Sequence, residues 1–243
     1  MLAMKGTLHF KVGRRKARPP GDTAAASGYR GAMSSFEFDR KYGTDTDGEI
    51  PVELLDHAEG VAPQAVSYEP TDPDAFKVMI RDLPIAREQY TFVDLGSGKG
   101  RVVFLAARAG FGQVIGVEAS PSLHQVACQN LRTWARHGHP IRHLELRRDD
   151  AAKIEYPDSP CVVYLFNPFR ERAVAQVLLR LKWSLQRHPR DLWLIYYNPQ
   201  FGFMLENSPY LARITVGRGF QQGDYAIWRS HGEYSGTLPR PAG

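Results

Sequence analysis

The chain has 243 residues, 43% of them hydrophobic and 23% charged, with 31 Lys and Arg against 26 Asp and Glu. Enough apolar side chain is present for one large core, which excludes a wholly disordered chain. No uncharged apolar run reaches the roughly 18 residues that a membrane span needs. The two cysteines, Cys128 and Cys161, cannot build a disulfide framework or an all-cysteine metal site, so a cytoplasmic, reducing setting is expected.

The net charge of +5 is concentrated at one end. Residues 1–33 hold seven bases, Lys5, Lys11, Arg14, Arg15, Lys16, Arg18 and Arg30, and one acid, Asp22, while the other 210 residues carry 24 bases and 25 acids. This basic leader, rich in Ala, Gly and Pro, has no apolar periodicity and reads as disordered. It lacks the apolar stretch of a secretory signal. A solvated tail, a start upstream of Met33 and a basic arm for an anionic partner are the alternatives it leaves.

From Ser34 the pattern changes. Phe36, Phe38 and Tyr42 are spaced for a short helix that runs into the turn-rich Thr44–Gly48, and Tyr68-Glu69-Pro70 precedes Pro73–Leu83, where Phe76, Met79, Ile80 and Leu83 recur at helical spacing. Residues 34–88 are therefore expected to form an N-terminal helical cap. The core domain, 89–230, opens with the β-rich run Tyr90–Leu95, followed by a glycine loop and an apolar helix over Val102–Ala109. A strand is predicted at Gln113–Val117, a helix from Ser120-Pro121 to about Arg136, and strands at Ile141–Leu146 and Cys161–Phe166. A long helix over Arg172–Gln186, a strand at Leu192–Tyr197 and two short strands at Ala212–Val216 and Asp224–Arg229 complete it. Alternating strands and helices predict an α/β, doubly wound, Rossmann-like sheet of seven strands, closed by a C-terminal antiparallel hairpin. Residues 231–243 read as a mobile tail.

The chemistry begins at the first strand's end. Asp94-Leu95-Gly96-Ser97-Gly98-Lys99-Gly100 places three alternate glycines where an open α/β sheet brings its backbone to a ligand. The dinucleotide pattern G-x-G-x-x-G would need its third glycine at Arg101, and here it stands one residue earlier, which favours a nucleoside cofactor without pyrophosphate. Glu118 ends the second strand about 20 residues further on, where a carboxylate accepts from ribose hydroxyls. Asp149-Asp150 follow the third strand and offer an acceptor for an adenine amino group.

Val93–Arg101, Val114–Ser120, Asp150 and Leu165–Phe169 together resemble the successive motifs of class I S-adenosylmethionine-dependent methyltransferases. The resemblance covers roughly Ser34 to Ser230. It implies a seven-stranded sheet with one antiparallel strand, Asp94 and Gly96, Ser97, Gly98 and Gly100 beside the methionine part of S-adenosylmethionine, Glu118 on the ribose and Asp150 at the adenine. Phe38–Thr46, Tyr68-Glu69-Pro70 and Tyr164–Phe169 further resemble a bacterial group of such enzymes. More distantly, Tyr68–Pro70 with Asp94–Gly98 is similar to the non-SET histone-lysine methyltransferases.

Members of the family that methylate planar amines carry [DNS]-P-P-[YFW], whereas Asn167-Pro168-Phe169 has one proline and a shifted aromatic. Asn167 is thus a candidate for both the acceptor and the cofactor, with helix capping as the bland alternative. Methyl transfer rests on holding nucleophile and methyl in near-attack geometry. Asn167, Tyr68 and Tyr42 are the candidates for orienting or partly deprotonating the nucleophile. Lys99 and Arg101 are read as attracting the cofactor carboxylate or pairing with Glu69 or another acid. Asn198-Pro199-Gln200-Phe201 echoes Asn167-Pro168-Phe169 and is expected at the substrate mouth. No metal site is expected from His137, His139 and His143, and Cys128 and Cys161 read as small core residues.

The expected activity is methyl transfer to a nitrogen or oxygen nucleophile of a small molecule or protein side chain. The alternatives are a non-catalytic cofactor-binding module and a nucleic-acid-binding protein that uses the leader. The near-neutral body makes a nucleic-acid partner the less favoured expectation, and the oligomeric state stays open.

Overall fold

Strands buried on both faces read as continuous apolar runs, and a sheet of such strands needs a helical layer on each side. Thr91–Leu95, Cys161–Phe166 and Leu192–Tyr197 are runs of this kind, and in the computed structural model they form three adjacent strands. The structure describes residues 34–56, 66–81, 83–141, 143–166, 169–218 and 223–235. The chain divides into two units, Met1–Ala32 and Met33–Gly243, and all described residues fall in the second. The basic leader and the residues after 235 lie outside them.

The sheet is made of β1 (Thr91–Leu95), β2 (Gln113–Glu118), β3 (Leu144–Arg148), β4 (Cys161–Phe166), β5 (Leu192–Tyr197), β6 (Leu211–Arg218) and β7 (Asp224–Ser230). Their order is β3-β2-β1-β4-β5-β7-β6, with β1 to β5 parallel and β7 antiparallel to both of its neighbours. This is the doubly wound seven-stranded α/β sheet with a closing hairpin that the pattern predicts. The order reverses between β1 and β4, and there the carboxyl ends of the strands open a crevice.

Strand periodicity divides the core. Phe92, Tyr164, Ile195 and Ile227 point to one face, where α2 (Pro73–Arg81), α3 (Arg101–Arg108) and the cap helix α1 (Ser35–Tyr42) bring Phe76, Met79, Phe104 and Phe38. Trp134 of α4 (Pro121–Arg136) joins the same cluster. Val93, Leu165, Leu194 and Trp228 point the other way, onto Val177, Leu181 and Leu185 of α5 (Glu171–Arg187) and Leu205 of the short α6 (Gly202–Glu206). Each such side chain, fully buried, contributes about 1.5–3 kcal/mol.

Local signals set the helix ends. Ser34 and Glu37 form a capping box at the start of α1, and Gly43 ends it at φ +66°. Ser120 accepts from Leu123 N at 3.3 Å with Pro121 in the first turn of α4.

Two expectations need correction. β3 begins at Leu144, not Ile141, because Ile141–Leu144 closes a turn in which His143 takes φ +142°. The strand then continues through Arg147 and Arg148, since an edge strand tolerates charge that a central one does not. The segment after Ser230 begins with a docked turn rather than a free tail: Tyr234 O accepts from Arg190 N at 3.1 Å, and its ring lies 5.9 Å from that of Tyr210.

Candidate active site

A cavity of about 420 Å3 runs along the carboxyl ends of the parallel strands, within the usual range of small-molecule sites. Asp94 of β1 with Gly96, Ser97 and Gly98 after it, Glu118 at the end of β2, Asp149 and Asp150 after β3, Tyr164 and Phe166 of β4, and Asn198 and Gln200 after β5 all line it. From the cap, Val66 to Thr71 close it on one side.

The glycine loop takes its shape from left-handed backbone, with Gly96 at φ +79°, Gly98 at +52° and Gly100 at +92°. Gly96 N and Ser97 N both donate to Val117 O at 2.9 Å, which ties the loop to the end of β2. Glu118 completes the tie: its Oε2 accepts from Gly98 N and its Oε1 from Ser120 N, both at 2.8 Å. Gly98 also lies under the ring of Tyr68, and a Cβ there would fall 2.3 Å from it. Gly100 does not line the cavity; it starts α3 with its space bounded by Phe104 and Ala127.

Asp94 is 3% exposed, borders the cavity, and accepts no hydrogen bond from a described residue. Burial, aided by the Glu118 charge, pushes its carboxyl well above the ordinary carboxylate range. Asp150 accepts from Ala152 N at 2.9 Å and pairs with Lys153 at 3.2 Å.

The cap reaches this loop through a polar latch. Asp39 Oδ1 accepts from the hydroxyls of Thr44 and Thr46, and Oδ2 from Thr46 N and Asp47 N, all at 2.7 Å. Arg101 is 2% exposed; its Nε donates to Thr46 Oγ1 at 2.7 Å, and its guanidinium lies 3.7 Å from Asp39 and 3.8 Å from Asp47. Lys99 Nζ donates to Asp45 Oδ1 at 3.0 Å and to Asp47 O at 2.9 Å. Of the two readings of Lys99 and Arg101, pairing with acids therefore holds, and those acids come from the cap motif.

The candidate nucleophile-orienting residues separate. Tyr68 lines the cavity, yet its hydroxyl donates to Thr46 O at 2.6 Å, and burial raises its pKa. The phenol is thereby held neutral, with its proton engaged on the cap. Tyr42 does not line the cavity: it is buried among Phe38, Trp134 and His139, and its role is packing. Asn167 and Pro168 lie outside the described residues. His137 meets Tyr42 O at 3.0 Å and His139 packs against Trp134. Cys161 is buried and its thiol is raised to about 11, whereas Cys128 is half-buried, 3.4 Å from His124 Nε2.

Two polar residues escape the sequence reading. Asn130, 4% exposed, donates to Asp45 O and Lys99 O and accepts from Asp45 N, tying α4 to cap and loop. Its signal was an Asn on the apolar face of α4, in step with Leu123, Ala127 and Trp134. Asp56 accepts from the hydroxyls of Ser120 and Ser122 and from Ser122 N, which anchors the segment after the cap helix at the start of α4.

Residues 93–169 match the family model of the methyltransferase domain. The match runs from β1 to just past β4. No curated protein matches the chain. Among solved structures it is similar to a proposed RNA methyltransferase from Pyrococcus horikoshii, at 16% identity and TM-score 0.51 over 73% of this chain and 93% of that one. It is also similar to a proposed methyltransferase from Escherichia coli, at 13% identity and TM-score 0.51 over 76% and 99%. TrmN from Thermus thermophilus follows at 16% identity and TM-score 0.50 over 66% and 49%. At these identities the likeness is one of fold.

Proposed function

We propose that the cavity holds S-adenosylmethionine across the ends of β1, β2 and β3, and that the methyl group passes to a nitrogen or oxygen nucleophile of a small molecule or protein side chain seated at the ends of β4 and β5. The observation that carries this reading is the carboxylate of Asp94, buried beside the cavity with no described donor. A buried charge demands a partner, and the cofactor offers positive sulfonium and ammonium groups. Glu118, fixed by Gly98 N and Ser120 N on the cavity wall, suits the ribose hydroxyls. Asp150, with Ala151 and Leu123 beside it, suits the adenine.

Transfer itself is an in-line displacement, so the chain's task is to hold the two reacting atoms together and keep water out. Tyr68 serves this by covering the glycine loop, itself held by the latch. Asn167 stays a candidate for the acceptor's hydrogen bond on the strength of its place after β4. Five carboxylates line the cavity, Glu69, Asp94, Glu118, Asp149 and Asp150, against one cation, Arg101, which the cap already engages. That balance disfavours a phosphate-bearing acceptor, although one of the similar structures is named as an RNA methyltransferase. The chain's described helices include none long and apolar enough to cross a membrane.

Isothermal titration of the full chain with S-adenosylmethionine and with S-adenosylhomocysteine tests the reading, followed by a labelled-methyl screen against small molecules and proteins. Binding of both ligands is expected; binding of neither overturns it.

A further inference from the structure

The cavity is chemically divided. Its acids stand at the ends of β1, β2 and β3 and on the cap segment, whereas the residues from β4 and the loop after it, from α5 and from the turn after β5 include Tyr164, Phe166, Phe169, Gln176, Asn198 and Gln200, with no charged side chain among those described. We infer that the acceptor is a small, uncharged, planar heteroaromatic molecule whose amide-like edge is read by Asn198 and Gln200 and whose face rests on the aromatics of β4. This rests on the proposed function, since it assumes that the cofactor fills the acidic half.

Asn198 carries most of the argument. It sits at φ +48°, a left-handed conformation that Asn tolerates better than most residues. Its main chain is fixed there, because Asn198 N donates to Asp224 O at 2.7 Å and Asn198 O accepts from Gln200 N at 2.8 Å. Its side chain is half-buried on the cavity, with no described protein group bonded to the carboxamide. A carboxamide presents a donor and an acceptor side by side, the pattern that matches an amide or a ring N–C–N edge and that discriminates poorly for a lone charge. Phe166, braced by Tyr197 at 4.7 Å between ring centroids, offers a flat partner for such a ring. A protonated amine would meet no carboxylate in this half. A phosphodiester chain would meet the acids of the other half.

In the transfer, the acceptor nitrogen's lone pair forms the new N–C bond, the C–S bond breaks with its electron pair going to sulfur, and the N–H proton leaves to water.

The test uses the full chain saturated with S-adenosylhomocysteine and follows four probes by NMR titration: nicotinamide, adenine, n-butylamine and a short single-stranded RNA. Nicotinamide or adenine should bind more tightly than butylamine. The double variant Asn198→Gly with Gln200→Ala keeps the left-handed backbone and should weaken that binding about fivefold or more, with S-adenosylhomocysteine affinity unchanged. Asn198→Asp should shift preference toward butylamine. Preference of the native protein for butylamine or for RNA, equal binding of all four, or planar-probe affinity untouched in the double variant would overturn the inference. Failure of S-adenosylhomocysteine itself to bind would instead defeat the proposed function.

Discussion

The ring of Tyr68 occupies the space that a side chain at position 98 would need: a Cβ on Gly98 falls 2.3 Å from the tyrosine Cε2. Position 98 is also left-handed, at φ +52°. Gly98→Ala therefore meets two penalties, a backbone cost of about 1–3 kcal/mol and the clash. S-adenosylmethionine affinity should fall about tenfold or more. Adding Tyr68→Ala removes the clash and leaves the backbone cost, so the double variant should recover thermal stability in part. Calorimetric titration and melting of the four proteins form the cycle; strictly additive losses would refute the contact's importance.

Glu118→Gln tests the clamp in a different way. Both carboxylate oxygens accept from backbone N–H groups, so a carboxamide must turn its NH2 toward Gly98 N or Ser120 N. The near-isosteric change should thus loosen the loop as well as the ribose contact, with a loss of about 1.5–3 kcal/mol. Affinity for S-adenosylhomocysteine, measured by titration, is expected to fall 10-fold to 100-fold, to about that free energy. Unchanged affinity would remove Glu118 from the clamp.

What the sequence makes legible follows from where each signal is stored. Cys161–Phe166 and Leu192–Tyr197 coincide with β4 and β5 because central strands are continuous apolar runs, bounded here by Pro160 and Asn198-Pro199. β3 slips because an edge strand keeps its charged residues, so Leu144–Arg148 reads as surface. Asp94, Gly98, Glu118 and Asp150 stand out because each follows a strand at fixed spacing, and all four line the cavity. Tyr42 misleads because an aromatic spaced for one helix face looks the same whether that face meets a substrate or Trp134. The latch is illegible for a geometric reason: Lys99, Arg101 and Asn130 meet the Asp39–Asp47 segment across intervals of more than 50 residues, and no local pattern encodes the meeting.

Asp39→Ala probes that latch. It strips the acceptor from Thr44, Thr46 and Asp47 and takes one acid from beside Arg101, 2% exposed, which then relies on Asp47 at 3.8 Å and the charge of Asp72. Removing one partner of a buried ion pair costs about 3–5 kcal/mol, and denaturant unfolding should show a loss of that order. Lys77→Ala, which removes an exposed pair with Asp74, is the comparison and should change stability by about 0.5 kcal/mol or less. Equal effects of the two substitutions would mean that the latch adds nothing beyond surface charge.

Asp94 links stability to cofactor capture. Burial and the Glu118 charge raise its folded-state pKa above the ordinary 3.8, so ionising it opposes folding. The sign follows directly: its penalty is absent below pH 3.8, where the carboxyl is neutral in both states, and grows as pH rises toward the folded value. Asp94→Asn should match the native protein near pH 4 and exceed it in stability near pH 8. Cofactor binding has the opposite dependence, because the cationic ligand favours the ionised carboxylate and draws its pKa back down. Affinity for S-adenosylmethionine should therefore rise with pH through the Asp94 titration, with proton release on binding, and Asn should abolish both. Titration calorimetry in two buffers of different ionisation enthalpy measures the protons released. A native protein that binds with no proton release and no slope across that range would show that Asp94 does not face the ligand's positive charge.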